Sequence, residues 1–295
     1  MKKALLFTSI IASNSIITNN ANAGDITHLF YKPKAKQIVS ETSYNVYEQD
    51  YENSSSTDVT VEKAEIREII NYGISSKLSF NLDIAYQEKE STTLGSTAVE
   101  SDGLTNPKIE TKYRVANQKD DGEFFDFKLS YTPDLFDYDE ASTSVKGSVA
   151  AGGDVYSIGI DYGRDVKKLT YKVNFDATYY DDAKSTATNG TTTTYDDRTD
   201  IGFGLKTQYR FSDMISANAG ITKNLKGNSS TDGVSSSGGN STTLSTKLNF
   251  IIDPEKSAIS VSFSQIDTDD TLSNNSKYTS GDKTTKYGIS YKYKF

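Results

Sequence analysis

Twelve stretches of this chain alternate apolar and polar residues, and the links between them are by turns short and long. Period-two alternation puts successive side chains on opposite faces of a strand. The stretches run near residues 37–48, 61–72, 78–87, 108–115, 124–132 and 155–163, then 169–180, 198–211, 215–222, 243–252, 258–266 and 283–295. Their boundaries are loose enough that ten or fourteen are also open. In the third, Leu78, Phe80, Leu82, Ile84 and Tyr86 alternate with Ser79, Asn81, Asp83, Ala85 and Gln87. The last ends the chain, with Tyr287, Ile289, Tyr291, Tyr293 and Phe295 on one face and Gly288, Ser290, Lys292 and Lys294 on the other.

The links after even-numbered stretches cover only 73–77, 116–123, 164–168, 212–214 and 253–257. Those after odd-numbered stretches cover 51–60, 88–107, 133–154, 181–197, 223–242 and 267–282, and many are rich in Ser, Thr, Asn and Gly. Tight turns on one side and long polar loops on the other are the pattern of a transmembrane antiparallel up-and-down β-barrel. Strands of about 9–11 residues suit a tilted crossing of the hydrocarbon layer. The fold class expected is therefore all-β.

Composition agrees. The chain has 20 Tyr and 13 Phe in a hydrophobic fraction of only 35%, which favours sheet over helix. Tyr44, Tyr86, Tyr131 and Tyr179 end ascending strands, while Tyr72, Tyr162, Tyr209, Phe211, Tyr293 and Phe295 end descending ones. All share the apolar phase, which reads as two aromatic girdles. A soluble β-sandwich, the competing fold, hides its apolar face and places fewer large aromatics at strand ends.

Lys2 and Lys3, the apolar run 4–12 and the Ala21-Asn22-Ala23 site before Gly24 form a signal peptide over 1–23. The apolar run is far shorter than the ~20 residues a spanning helix needs. Residues 24–36 then form a periplasmic segment ahead of a barrel over 37–295. Loss of the two signal lysines leaves 30 Lys and Arg against 40 Asp and Glu, an acidic balance that argues against nucleic acid as a partner.

With no Cys, neither disulfides nor a thiolate metal site is available. The lone histidine, His28, reads as an exposed linker residue and leaves little scope for His-based catalysis. A paired-carboxylate glycosidase stays compatible with composition, but no pair is singled out. The loop acid clusters lack the Gly and terminal Glu of an EF-hand loop. No enzyme, metal or cofactor is expected.

If the aliphatic phase faces lipid, the opposite phase faces the lumen. It holds Lys63, Arg67, Lys108, Lys112, Arg114, Lys128, Lys172, Arg198, Lys206, Arg210, Lys247 and Lys292. Against them stand Glu41, Glu65, Asp83, Glu110, Asp126, Asp161, Asp176 and Asp200. Arg67, Lys112, Arg114, Lys206, Arg210 and Lys247 are the candidate pore-lining, solute-binding residues. A basic ring there would favour anions, acidic sugars among them. The opposing reading is that these charges pair across strands and plug a narrow barrel. Glu68 breaks the pattern, since its phase points it at lipid unless a bulge or an interfacial position intervenes.

The terminal strand resembles the last strand of Gram-negative outer-membrane β-barrels. Lys286, Gly288, Tyr291 and Tyr293, with Phe295 last, match their assembly signal. The stretch 71–86 ("NYGISSKLSFNLDIAY") is similar to a turn and strand of porins of the MetA-pathway phenol-degradation type. The basic lumen and strand count also resemble twelve-stranded porins for acidic oligosaccharides. The resemblance implies a multi-pass barrel in the bacterial outer membrane, in contact with its lipid and lipopolysaccharide and inserted by the barrel-assembly machinery. It implies a porin or channel passing small hydrophilic solutes by diffusion. The alternative is a closed barrel acting as adhesin, receptor or structural surface through its long loops.

Overall fold

The computed structural model describes residues 25–52, 57–93, 97–118, 123–136, 147–150, 152–186, 192–273, 276–279 and 281–295. The signal peptide expected over 1–23 lies outside the described residues. Twelve long strands form the wall: β1 Ile38–Glu52, β2 Asp58–Gly73, β3 Leu78–Thr93, β4 Lys108–Gln118, β5 Glu123–Thr132 and β6 Val155–Val166, then β7 Leu169–Tyr180, β8 Arg198–Arg210, β9 Ile215–Leu225, β10 Ser241–Asp253, β11 Ser257–Thr268 and β12 Lys283–Lys294. Each pairs antiparallel with its neighbours in sequence. The first also pairs with the last, from Val39↔Lys294 to Asp50↔Lys283, so the sheet closes into a barrel without a free edge.

The side-chain phase follows the alternation. Tyr44, Val46, Ile158, Ile160, Val173, Phe203, Leu205, Val261 and Ile289 are all exposed on the outer surface. In a protein dissolved in water such a band would be a large apolar liability; around a closed barrel it is the surface that lipid covers. Aromatics gather at both ends of the band. Tyr131 stacks on Tyr156 at 5.1 Å, and Tyr156 lies 6.4 Å from Tyr179, at the long-loop end. Tyr72, Tyr162, Tyr209 and Phe211 lie exposed at the short-turn end.

Two register shifts interrupt the ladders of the barrel wall, at Arg114/Ala116 in β4 and at Ile251/Asp253 in β10. Neither is at Glu68. That residue stays on the outer phase opposite Thr42, and the Ser40 and Thr42 hydroxyls both donate to its carboxylate. Neighbours leave Glu68 only 8% exposed.

Strands run past the expected boundaries at the long-loop end; β3 continues from Gln87 to Thr93. Three long loops also carry short hairpins that the sequence reading treated as coil. Ala183–Thr186, Thr192–Tyr195, Ser229–Thr231, Val234–Gly238, Thr271–Ser273 and Ser276–Thr279 join into a second, six-stranded sheet. Its strands are only three to five residues long and rich in Ser and Thr, so no amphipathic period announces them.

Candidate functional site: the barrel interior and its N-terminal plug

The first described residues do not trail away from the barrel. Ile26 is fully buried and Phe30 is 3% exposed, because this segment packs across the short-turn end. Phe30 stacks on Phe124, an inward residue of β5, at 4.8 Å and 10°. Gln208 of β8 grips the backbone from both sides, donating to the Thr27 carbonyl and accepting from the Leu29 amide, each at 3.1 Å. Arg210 pairs with Asp25. His28 is not the exposed linker histidine expected. Its Nε2 lies 3.0 Å from Asp165 Oδ1 and 3.2 Å from the Thr170 hydroxyl, with the side chain 26% exposed.

Arg114 anchors this plug most firmly. Its Nε and Nη2 hold the Asp126 carboxylate at 2.6 and 2.8 Å, and Nη2 also donates to the Phe30 carbonyl at 2.7 Å. Two glycines of the wall make room for the segment. A Cβ at Gly73 would strike the Lys34 carbonyl, and one at Gly163 would strike the Phe30 ring and the Tyr171 carbonyl. Burial pushes the Tyr31 phenol well above its usual range. Lys32 is pulled below its ordinary value by burial, and the positive charges of Arg114 and Lys112 add to the effect.

Above the plug the interior is charged. On one side Glu41 is shared by Lys247 at 2.9 Å and Lys292 at 3.5 Å. Beside it, Glu65 is 2% exposed and accepts from Asn45, Tyr47 and Gln87, while Arg67 lies 3.1 Å from Asp83. Across the lumen, Lys128 bridges Asp161 and Asp176 at 2.9 and 2.8 Å, and Lys172 also reaches Asp161 at 3.1 Å. Lys128 gets to Asp176 by passing over Gly159, where a Cβ would meet both side chains. Next to this cluster stand Lys112, opposite Lys128, and Lys206, opposite Lys172. Neither Lys112 nor Lys206 has an ion-pair partner among the described residues.

The six candidate pore residues thus divide by their partners. Arg114 and Arg210 hold the plug, and Arg67 and Lys247 are paired with carboxylates. Lys112 and Lys206 have no ion-pair partner among the described residues. The sequence reading missed the plug altogether. It also missed Lys89, on the inner phase of β3 beyond Gln87, and gave Lys286 only its place in the terminal motif. Extending the alternation of β3 by one more period would have found Lys89. In that motif Lys286 and Gly288 face inward and Tyr291 faces outward, and the Phe295 amide donates to the Ile38 carbonyl at 3.0 Å.

A closed antiparallel barrel with an apolar exterior, aromatic ends and a charged interior is a transmembrane β-barrel. Its fold is that of bacterial outer-membrane proteins. The chain is similar to the solved outer-membrane channel of Pseudomonas putida F1, with a TM-score of 0.63 and 13% identity, covering 95% of this chain and 100% of that one. It is also similar to the transport unit of the autotransporter AIDA-I from Escherichia coli, with a TM-score of 0.54 and 11% identity over 92% and 95% of the two chains. The beta domain of the Bordetella autotransporter BrkA follows, with a TM-score of 0.51 and 12% identity over 87% and 100%. No protein-family model matches the sequence, and no characterised protein matches it by sequence.

Proposed function

We propose that this barrel is an outer-membrane channel for passive diffusion of small hydrophilic solutes, with a preference for anions. The observation that carries the preference is the cluster above the plug, where Lys112, Lys128, Lys172 and Lys206 gather around Asp161 and Asp176. The fold likeness to an outer-membrane channel supports the broader role. The outer apolar band meets lipid and lipopolysaccharide, and the terminal motif from Lys286 to Phe295 addresses the chain to the barrel-assembly machinery. The role is a passage rather than a reaction. The plug narrows the short-turn end, which faces the periplasm.

The test is current through the refolded mature protein in a planar bilayer under a KCl gradient. Stepwise conductance with a chloride-directed reversal potential is expected. Lys112→Glu together with Lys206→Glu should abolish or invert that bias. A cation-directed reversal would overturn the anion preference. A folded barrel with no conductance would overturn the channel and favour the rival reading, in which the Ser- and Thr-rich sheet above the barrel is the working surface.

A further inference from the structure

A second group of lysines lies near the long-loop end of the lumen. Lys63 of β2 and Lys286 of β12 flank the inward ring of Tyr47, at 4.0 and 4.6 Å from its centroid. Lys89 of β3 lies directly opposite Lys63 in the ladder. None of the three has an ion-pair partner among the described residues. The neighbouring carboxylate, Glu65, is buried and accepts hydrogen bonds from the Tyr47 hydroxyl and two amides. Like charges directly opposite one another in a sheet are destabilising. Such a pair gains most from an anion placed between its members.

The register ties this group to the lower one. Lys89, Lys63, Tyr47 and Lys286 stand in one row across β3, β2, β1 and β12. The same row continues through Ser264, Ser245 and Gly220 to Lys206 and Lys172. Barrel strands are tilted, so a row perpendicular to them descends as it goes round. Lys89 lies near the loop end of β3, whereas Lys172 lies near the turn end of β7, close to the plug, with its ammonium 5.7 Å from the Phe30 ring. Between the two lysine groups the row itself holds Ser264, Ser245 and Gly220. Lys286 and Lys206 are four strand spacings apart, about 19 Å along the wall.

We infer that the two lysine groups are the ends of one descending track that binds a linear polyanion, a chain with negative charges along its length rather than a single small anion. This rests on the channel reading and names a class of solute for it. A flexible anion held at Lys63, Lys89 and Lys286 lies within reach of Lys206 and Lys172 without leaving the wall. The second contact is then intramolecular, and binding gains by effective concentration.

The experiment compares inorganic phosphate, tripolyphosphate and long-chain polyphosphate as blockers of the refolded barrel in a planar bilayer. Long chains should interrupt the current with dwell times at least about tenfold longer than tripolyphosphate, because both groups are engaged at once. The triple variant Lys63→Ser/Lys89→Ser/Lys286→Ser, or Lys206→Ser alone, should remove that length advantage while the barrel still folds. Equal dwell times for short and long chains, or an advantage that survives the triple variant, would overturn the track. Anion-selective current without any dependence on chain length would sink this inference and leave the channel reading standing. Should the barrel not conduct, calorimetry of the same phosphates on the barrel in detergent reads the same length dependence. A flat series there overturns the track independently of conductance.

Discussion

A carboxyl group in the middle of a lipid-facing band is the most costly residue of the wall, and Glu68 shows how it is tolerated. It stands between Ile66 and Ile70 on β2, and two hydroxyls of β1 donate to it. Removing the donors is therefore worse than removing the acid. Ser40→Ala with Thr42→Val should cost about 1–3 kcal/mol for each lost bond, because the buried acceptor stays. Adding Glu68→Leu should return most of it. The urea midpoint of the barrel refolded into lipid vesicles measures both, and an additive loss in the triple variant would contradict the account. Arg114 obeys the same logic on the inside. Arg114→Ala leaves Asp126, which is 1% exposed, as a lone buried charge and should cost about 3–5 kcal/mol. The anomaly of Glu68 was legible in the sequence from its phase alone. Its two donors were not, because cross-strand register decides which residues of β1 meet it.

At the scale of elements, the plug and the wall are fitted to each other at Gly73. The Gly73 amide donates to the Gln37 carbonyl, and its carbonyl accepts from the Lys36 amide at 2.6 Å. A methyl group there would first meet the Lys34 and Pro33 carbonyls. Gly73→Ala should therefore lift the segment while the strands stay paired. Trypsin should then cleave after Lys34 or Lys36 at least about tenfold faster, with the barrel still migrating as a folded species on unheated gels. Cleavage no faster than in the parent protein would show that the segment yields elsewhere. The strands themselves were readable because lipid on one side and water on the other impose a period of two; β7 has the bounds the alternation implied. Where strands are this short and rich in Ser and Thr, as in the hairpins of the second sheet, the period vanishes and so does the signal. The plug was unreadable for a different reason. Asp25, His28 and Phe30 are unremarkable in a short polar-and-apolar segment, and their partners Arg210, Asp165 and Phe124 lie far along the chain.

For the whole molecule, charge is distributed against its own average. The chain is net acidic, yet its lumen presents lysines at both ends of one row. The selectivity proposed above is thus a short-range field, and salt should screen it. The Debye length falls from about 10 Å at 0.1 M to about 3 Å at 1 M. The chloride-directed reversal potential, measured at a fixed concentration ratio, should shrink severalfold between those conditions. A bias indifferent to salt would point to a steric rather than an electrostatic filter. The plug has one more consequence, and it concerns time. Residues 25–33 precede every strand, but the surfaces that receive them are built by Ser75, Phe124, Asp165, Gln208 and Arg210. No cradle exists until β8 is in place, and contacts this distant in sequence form late. The segment ahead of the first strand is thus among the last to be seated, and a freshly closed barrel stands open at that end until it arrives.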